Sequence, residues 1–429
     1  MVKAPPFSVV REMLRDRDFR RLLTAQYIAQ AADGLSQAAF AEVLVLDPLA
    51  TGTPGRILAL FALTLIPYSF IAPFMGVFVD RWPRRALMSI TNLIRGVILL
   101  ALPLWAPLLA GDSGLYLGIL LLLGLGRLFL VTKGASLPVL LHEHHLLRGN
   151  AVSGGGGMIS ALLGGVIGVI LVGLVDVDIS FAIAGAIYCA SGLISRAISD
   201  PLAHDVVATE KLGRAVRRVT SELVEGIRAI TSRAAARIPL VGIFLLRVAG
   251  MLVAIAAILV IKAEFPDAGD RFGRLSASAL ALGTTGLGAF VGAISAPSVG
   301  RRLTKAGIMV LGFVISGLGI LALGGIVNIY AVLGLTFVGG LGGFLAKVSV
   351  DAQIQEALPD GYRGRGFAVY DIVYNLASVA AALVIVVTQD ASFRWVFVGT
   401  GLATLLLAAA IRNALTAAGL GDFTHPEAD

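Results

Sequence analysis

The sequence predicts an all-α membrane protein, with twelve transmembrane helices in two six-helix bundles. Three observations predict it. Of 429 residues, 57% are apolar and only 14% are charged, against about 25% charge in an ordinary soluble domain. The apolar residues fall in runs of roughly 20, the length that crosses a bilayer as a helix. The basic residues cluster between alternate runs, the distribution that keeps a loop on the cytoplasmic side.

Candidate spans of the first half lie near 22–46, 56–79, 87–109, 115–138, 151–175 and 180–199. Those of the second half lie near 239–262, 275–296, 307–327, 329–350, 366–388 and 394–415. Lys3, Arg11, Arg15, Arg17, Arg20 and Arg21 precede the first run with no apolar stretch before them. No cleavable signal peptide is expected, and the N-terminus should stay in the cytoplasm. Arg81, Arg84, Arg85, Arg148, Arg301, Arg302, Lys305, Arg363 and Arg365 then fall in the loops assigned to the same side. The loop near 175–179 carries only Asp176 and Asp178. An even number of spans with both termini cytoplasmic satisfies this asymmetry.

The polar stretch 200–238 divides the chain into an N-terminal bundle, 1–199, and a C-terminal bundle, 239–429. Within it Val216, Val219, Leu223, Ile227 and Ile230 recur at helical spacing among charged residues. That pattern predicts an amphipathic linker helix on the inner membrane surface. A repeat supports the division. Residues 76–87 and 292–303 both join an apolar helix end containing Gly to a tight turn and a paired basic cluster, as expected of parallel transporter repeats.

The composition excludes other classes. A net charge of +7 follows membrane topology rather than forming a basic face for nucleic acid. The single cysteine, Cys189, excludes an internal disulfide. His142, Glu143, His144 and His145 are too few and too local for a metal site. Gly154 to Gly157 lack the Lys-Ser/Thr of a phosphate loop, so neither metal nor cofactor is expected. No nucleophile–base pair argues for an enzyme.

Ionisable and polar groups inside spans are expensive and therefore candidates for function. In the first span Gln26, Gln30, Asp33 and Gln37 share one helical face. Asp33 lies about 18 Å beyond Arg21 at 1.5 Å per residue, near the bilayer midplane. A carboxylate there suits proton uptake and release. Arg127 and Arg247 are also placed near mid-depth, and either is a candidate ion-pair partner for Asp33. Arg95, Lys133 and Lys347 lie nearer the cytoplasmic side, where snorkelling to headgroups competes with a cavity role. Asp371, Tyr374, Asn375 and Ser378 share a face of the eleventh span, and Glu42 lies near the outer end of the first. Within spans the bases Arg95, Arg127, Lys133, Arg247 and Lys347 outnumber the acids Asp33, Glu42 and Asp371. If two of these bases face a cavity, an anionic or zwitterionic cargo is expected.

Gly76, Asp80, Arg81, Arg84 and Arg85 resemble the signature between the second and third spans of the major facilitator superfamily. Pro83 stands where that signature usually has Gly, as in its drug-exporter branch. The segment Gln355-Glu356-Ala357-Leu358-Pro359-Asp360 leading to Arg363-Gly364-Arg365, and Leu147-Arg148-Gly149-Asn150-Ala151, resemble loops of the enterobactin and macrolide exporters. The fifth span carries Gly164, Gly165 and Gly168 without the Gly-Pro pair of the antiporters. Ala25-Gln26-Tyr27-Ile28, Asp33 and Lys133 are also similar to the lysophospholipid transporter branch. The resemblance implies a monomeric secondary transporter of the cell membrane. By that resemblance it exports small amphipathic molecules or drugs against protons, with Gly76, Asp80, Arg81, Arg84 and Arg85 as a cytoplasmic gate latch. A lysophospholipid or other anionic amphiphile is the alternative cargo, and a non-transporting membrane sensor the alternative class.

Overall fold

The computed structural model describes residues 13–43, 82–110, 113–141, 143–199, 212–265, 277–326, 328–388 and 391–424, with isolated positions between 62 and 79. Twelve α-helices run through them: α1 Arg17–Ala41, α2 Arg84–Trp105, α3 Ser113–Leu140, α4 Glu143–Leu174, α5 Val177–Arg196 and α6 Leu212–Thr231. They continue with α7 Ala234–Glu264, α8 Ala277–Val299, α9 Lys305–Gly324, α10 Ile329–Ala357, α11 Asp360–Val387 and α12 Phe393–Ala417.

Ten of these, α2 to α5 and α7 to α12, are long and apolar enough to cross a membrane. α1 falls short because its polar face dilutes its apolar content, and α6 because it is charged. The expected second span, and with it Gly76, Asp80 and Arg81, lies outside the described residues. Several helices extend past their apolar runs. α10 continues through Asp351–Ala357, and α11 starts at Asp360 rather than near 366. Hydropathy locates the apolar part of a helix and not its hydrogen-bonded ends. Ala, Gln and Glu continue a helix readily until Leu358, which is extended before Pro359, breaks it.

Helix starts follow side-chain capping. Asp16 accepts from the backbone N–H of Asp18 at 2.9 Å and of Phe19 at 2.8 Å, and Asn328 accepts from that of Tyr330 at 2.8 Å; both satisfy first-turn donors. Asp18, just before the first span, accepts from Arg21 and from the backbone and hydroxyl of Ser199. Burial by itself would raise the Asp18 carboxyl, but these bonds together outweigh it and hold the group below its ordinary range.

The chain divides into two compact units, with the boundary inside α6 between Val219 and Thr220. In the first unit α1 packs on α4 and α5, and α2 on α5. The α1–α4 contact is backbone against backbone. A Cβ on Gly164 would run into the carbonyl of Ala31, and one on Gly34 into that of Ala161. The glycines of the fifth span therefore serve close helix approach. In the second unit α8 and α9 pack on α10, and α9 packs on α12. A Cβ on Gly185 would lie 2.9 Å from the Gly96 carbonyl, joining α2 to α5. One on Gly401 would lie 3.1 Å from that of Gly317, joining α9 to α12. Helices α2 and α9 each follow a basic turn of the sequence repeat, so the repeat extends to packing.

The linker helix is docked over its second half. Arg365, in the first turns of α11, pairs with Glu225 and lies 3.8 Å from Glu222. Gly226 is held against the Arg365 backbone, and Ile230 is buried in the core of the second unit. Ile227 of the apolar stripe remains exposed. The chain after α12 is tied back as well. Thr304 donates its N–H to the Phe423 carbonyl at 3.1 Å, and Leu303 forms a single bridge with Thr424.

Candidate functional site

The first unit contains a buried polar cluster built on α1, α2 and α5. Helical spacing on α2 puts Asn92 and Arg95 on the face turned to α5, and on α5 it aligns Tyr188 and Ser191. Arg95 is 1% exposed and forms an ion pair with Asp33. Tyr188 donates to the same Asp33 Oδ1 at 2.8 Å and accepts from Arg95 Nη2 at 2.6 Å. Arg95 Nη1 donates to Asn92 Oδ1 at 3.3 Å, Asn92 to Ser191 Oγ at 2.8 Å, and Ser191 to the Ala25 carbonyl at 2.6 Å. Gly126 on α3 leaves room for the guanidinium, since a Cβ there would lie 2.9 Å from Arg95 Nη2.

This corrects two sequence expectations. The partner of Asp33 is Arg95, not Arg127, and Arg247 belongs to the other unit. Arg95 does not snorkel; it is sealed. Arg95 stands at the middle of α2, and its rotation about the helix axis turns it into the bundle. Arg127 is half-buried on α3.

A second polar group lies on the same face of α1. Gln26, 1% exposed, donates to Gln30 Oε1 at 2.7 Å and to the Ser153 carbonyl at 2.8 Å. Ser153 donates its hydroxyl to Gln26 Oε1 at 2.7 Å. Lys133 on α3 donates to Ser153 Oγ at 2.8 Å, and Tyr27 to the Val152 carbonyl at 2.7 Å. Gln37, fourth in the stripe, is exposed and stands apart from this group. Glu42 caps the end of α1. Of the residues that resemble the signature between the second and third spans, Arg84 donates to the Ala135 carbonyl at 2.8 Å and Arg85 to the Ile198 carbonyl at 3.2 Å. Ala135 lies in the turn crowded by Pro138, inside α3, where proline disturbs the helical hydrogen bonds.

In the second unit Arg247 on α7 lies over the ring of Tyr374 on α11, 4.1 Å from its centroid, and donates to the Tyr374 hydroxyl at 2.9 Å. Tyr374 stacks on Tyr370, with centroids 5.7 Å apart. Lys347 on α10 pairs with Asp351 at 2.6 Å and approaches both rings. The sequence assigns Lys347 to headgroups or a cavity; it is held by its own helix. Asn375 donates to the Asp371 carbonyl one turn back at 2.7 Å. The side chains of His142, Glu143, His144 and His145 lie outside the described residues.

Sequence reasoning missed Tyr188, Asn92, Ser191 and Ser153 as site members. The available signal was helical phase: Asn92 and Arg95 are three residues apart, as are Tyr188 and Ser191, inside otherwise apolar runs.

Ten membrane-length helices among the described residues, a buried ion pair and polar stripes on packed helices are the architecture of a membrane transporter. The family model of the Major Facilitator Superfamily matches residues 25–381, and the chain belongs to that superfamily; it is a membrane transporter and not an enzyme. It is 27% identical over 402 residues to uncharacterized MFS-type transporters of Mycobacterium bovis and Mycobacterium tuberculosis, with 88% of each chain covered. Its fold is similar to that of the POT family transporter PepTSo, with a TM-score of 0.69 at 11% identity, covering 95% of this chain and 99% of that one. The nucleoside transporter NupG superposes with a TM-score of 0.66 at 12% identity, covering 93% and 99%.

Proposed function

We propose that the protein is a proton-coupled secondary transporter that exports small amphipathic molecules across the cell membrane, in the manner of the drug-efflux branch, with Asp33 as the coupling residue. The observation that carries this reading is the Asp33–Arg95–Tyr188 cluster. A buried ion pair is tolerated in lipid because each charge neutralises the other. Protonating Asp33 leaves the Arg95 guanidinium uncompensated in a sealed site, so proton binding and rearrangement of α1 against α2 must occur together. Exchange with cargo follows if the rearranged state alone admits it.

The test is transport into proteoliposomes under an imposed pH gradient. Asp33→Asn is expected to abolish gradient-driven accumulation of an amphipathic dye while its binding in detergent survives. Undiminished gradient dependence in this variant removes Asp33 from coupling.

In this reading Gly76, Asp80, Arg81, Arg84 and Arg85 form a cytoplasmic latch, supported by the bond from Arg84 to the Ala135 carbonyl of α3. Arg84→Gln should raise labelling of cysteines introduced near residue 88 from the cytoplasmic side. Unaltered labelling speaks against a latch.

A further inference from the structure

The two units treat their buried cations differently. Arg95 in the first is 1% exposed and neutralised by Asp33. Arg247 in the second lies about 20 Å into α7 at 1.5 Å per residue, near the middle of the helix, and among the described residues no carboxylate pairs with it. Its hydrogen-bond partner among them is the neutral Tyr374 hydroxyl, and its Nε is buried without a partner there. Lys347, by contrast, is matched by Asp351.

An uncompensated cation at such depth is costly, by about 2.5–3.5 kcal/mol on insertion scales, unless something else neutralises it. Arg247 and Tyr374 are half-buried rather than sealed, and the Lys347 side chain is 24% exposed. The cluster is therefore open to an occupant. The Tyr370 hydroxyl faces Asp351 instead, and the residue is buried in the core of the unit. Beside Arg247 the half-buried ring of Tyr374, backed by the buried Tyr370, offers apolar surface. A guanidinium with free N–H groups matches the geometry of an oxyanion, and an aromatic wall suits the apolar body that carries it.

We infer that Arg247, Tyr374 and Lys347 form a binding site for the acidic headgroup, a carboxylate or a phosphate, of an amphiphilic cargo. This deepens the transporter reading and rests on it. Arg247 supplies the charge and the bidentate fork. Tyr374 orients the guanidinium, Tyr370 backs the Tyr374 ring, and Lys347, held by Asp351, borders the site.

The test uses the purified full-length protein in a neutral detergent and calorimetric titration with four probes. They are dodecyl phosphate, laurate, dodecyltrimethylammonium and inorganic phosphate, each alkyl probe kept below its micellar concentration. The wild type is expected to bind at least one alkyl anion about tenfold or more tightly than the ammonium of equal chain length, as a charge-assisted hydrogen bond provides. Arg247→Gln should erase that preference and leave ammonium binding within about twofold, which also reports that the variant is folded. Tyr374→Phe should reduce anion binding several-fold and serves if Arg247→Gln cannot be purified. Equal affinity for anion and cation, failure of both alkyl anions to bind, or anion binding unchanged in both variants overturns the proposal. Inorganic phosphate binding as tightly as dodecyl phosphate overturns the amphiphile and leaves a free anion. Transport driven by a pH gradient, measured in parallel, separates the two readings. If it persists without anion preference, the site alone fails; if anions bind selectively but no gradient moves them, the coupled-export reading fails.

Discussion

Arg95→Gln is expected to lower the stability of the first unit by about 3 kcal/mol, and adding Asp33→Asn is expected to recover most of that loss. Removing one member of a buried ion pair strands the other, at a cost of about 3–5 kcal/mol. The lower figure applies because the Asp33 side chain keeps 21% of its exposure while Arg95 has 1%. The double variant strands no charge, and the amide it places at position 33 still offers an acceptor to the Tyr188 hydroxyl. Unfolding midpoints in detergent for the wild type, both single variants and the double variant complete the cycle, whose coupling term isolates the pair. Additive effects would mean that the pair does not hold α1 against α2, and the proposed coupling would lose its mechanical basis.

Gly164→Val is expected to disrupt the first unit, while Gly154→Ala, ten residues earlier on the same helix, should be harmless. A Cβ on Gly164 would overlap the backbone of Ala31 on α1, and backbone cannot swing aside as a side chain can. Overpacking costs about 1–3 kcal/mol and sometimes more, and here it would also displace the helix that carries Asp33. Nothing lies within 4 Å of a Cβ on Gly154. Helix propensity then favours Ala there by up to about 1 kcal/mol. Yield of monodisperse protein and unfolding midpoint compare the two. Equal behaviour would show that α1 and α4 tolerate separation, contrary to the close packing described above.

The membrane class and most spans are readable from hydropathy because the bilayer imposes the same demand on every segment. The helix ends are not, since α10 and α11 run past their apolar stretches until Pro359 intervenes. The face bearing Gln26, Gln30 and Asp33 is legible because three of its members repeat at helical spacing along one helix. Gln37 keeps that spacing and yet stands exposed, apart from the group around Gln26. By depth alone Arg127 is a reasonable partner for Asp33. Depth along a helix says nothing of rotation about its axis, and rotation selected Arg95.

The sequence by itself therefore determined that this is a polytopic helical membrane protein, and it singled out Asp33 and several bases within apolar stretches. Those are properties of local composition and period, set by what lipid will accept. Only the tertiary structure decided which charges meet. Arg95 is neutralised because Gly126, Gly96 and Gly185 let α2 and its neighbours close around it. Arg247 meets a tyrosine because α7 packs on α11 with Arg247 against Tyr374. Which helix faces meet depends on close packing between segments far apart in the chain, and pairing of buried charges is a consequence of that packing.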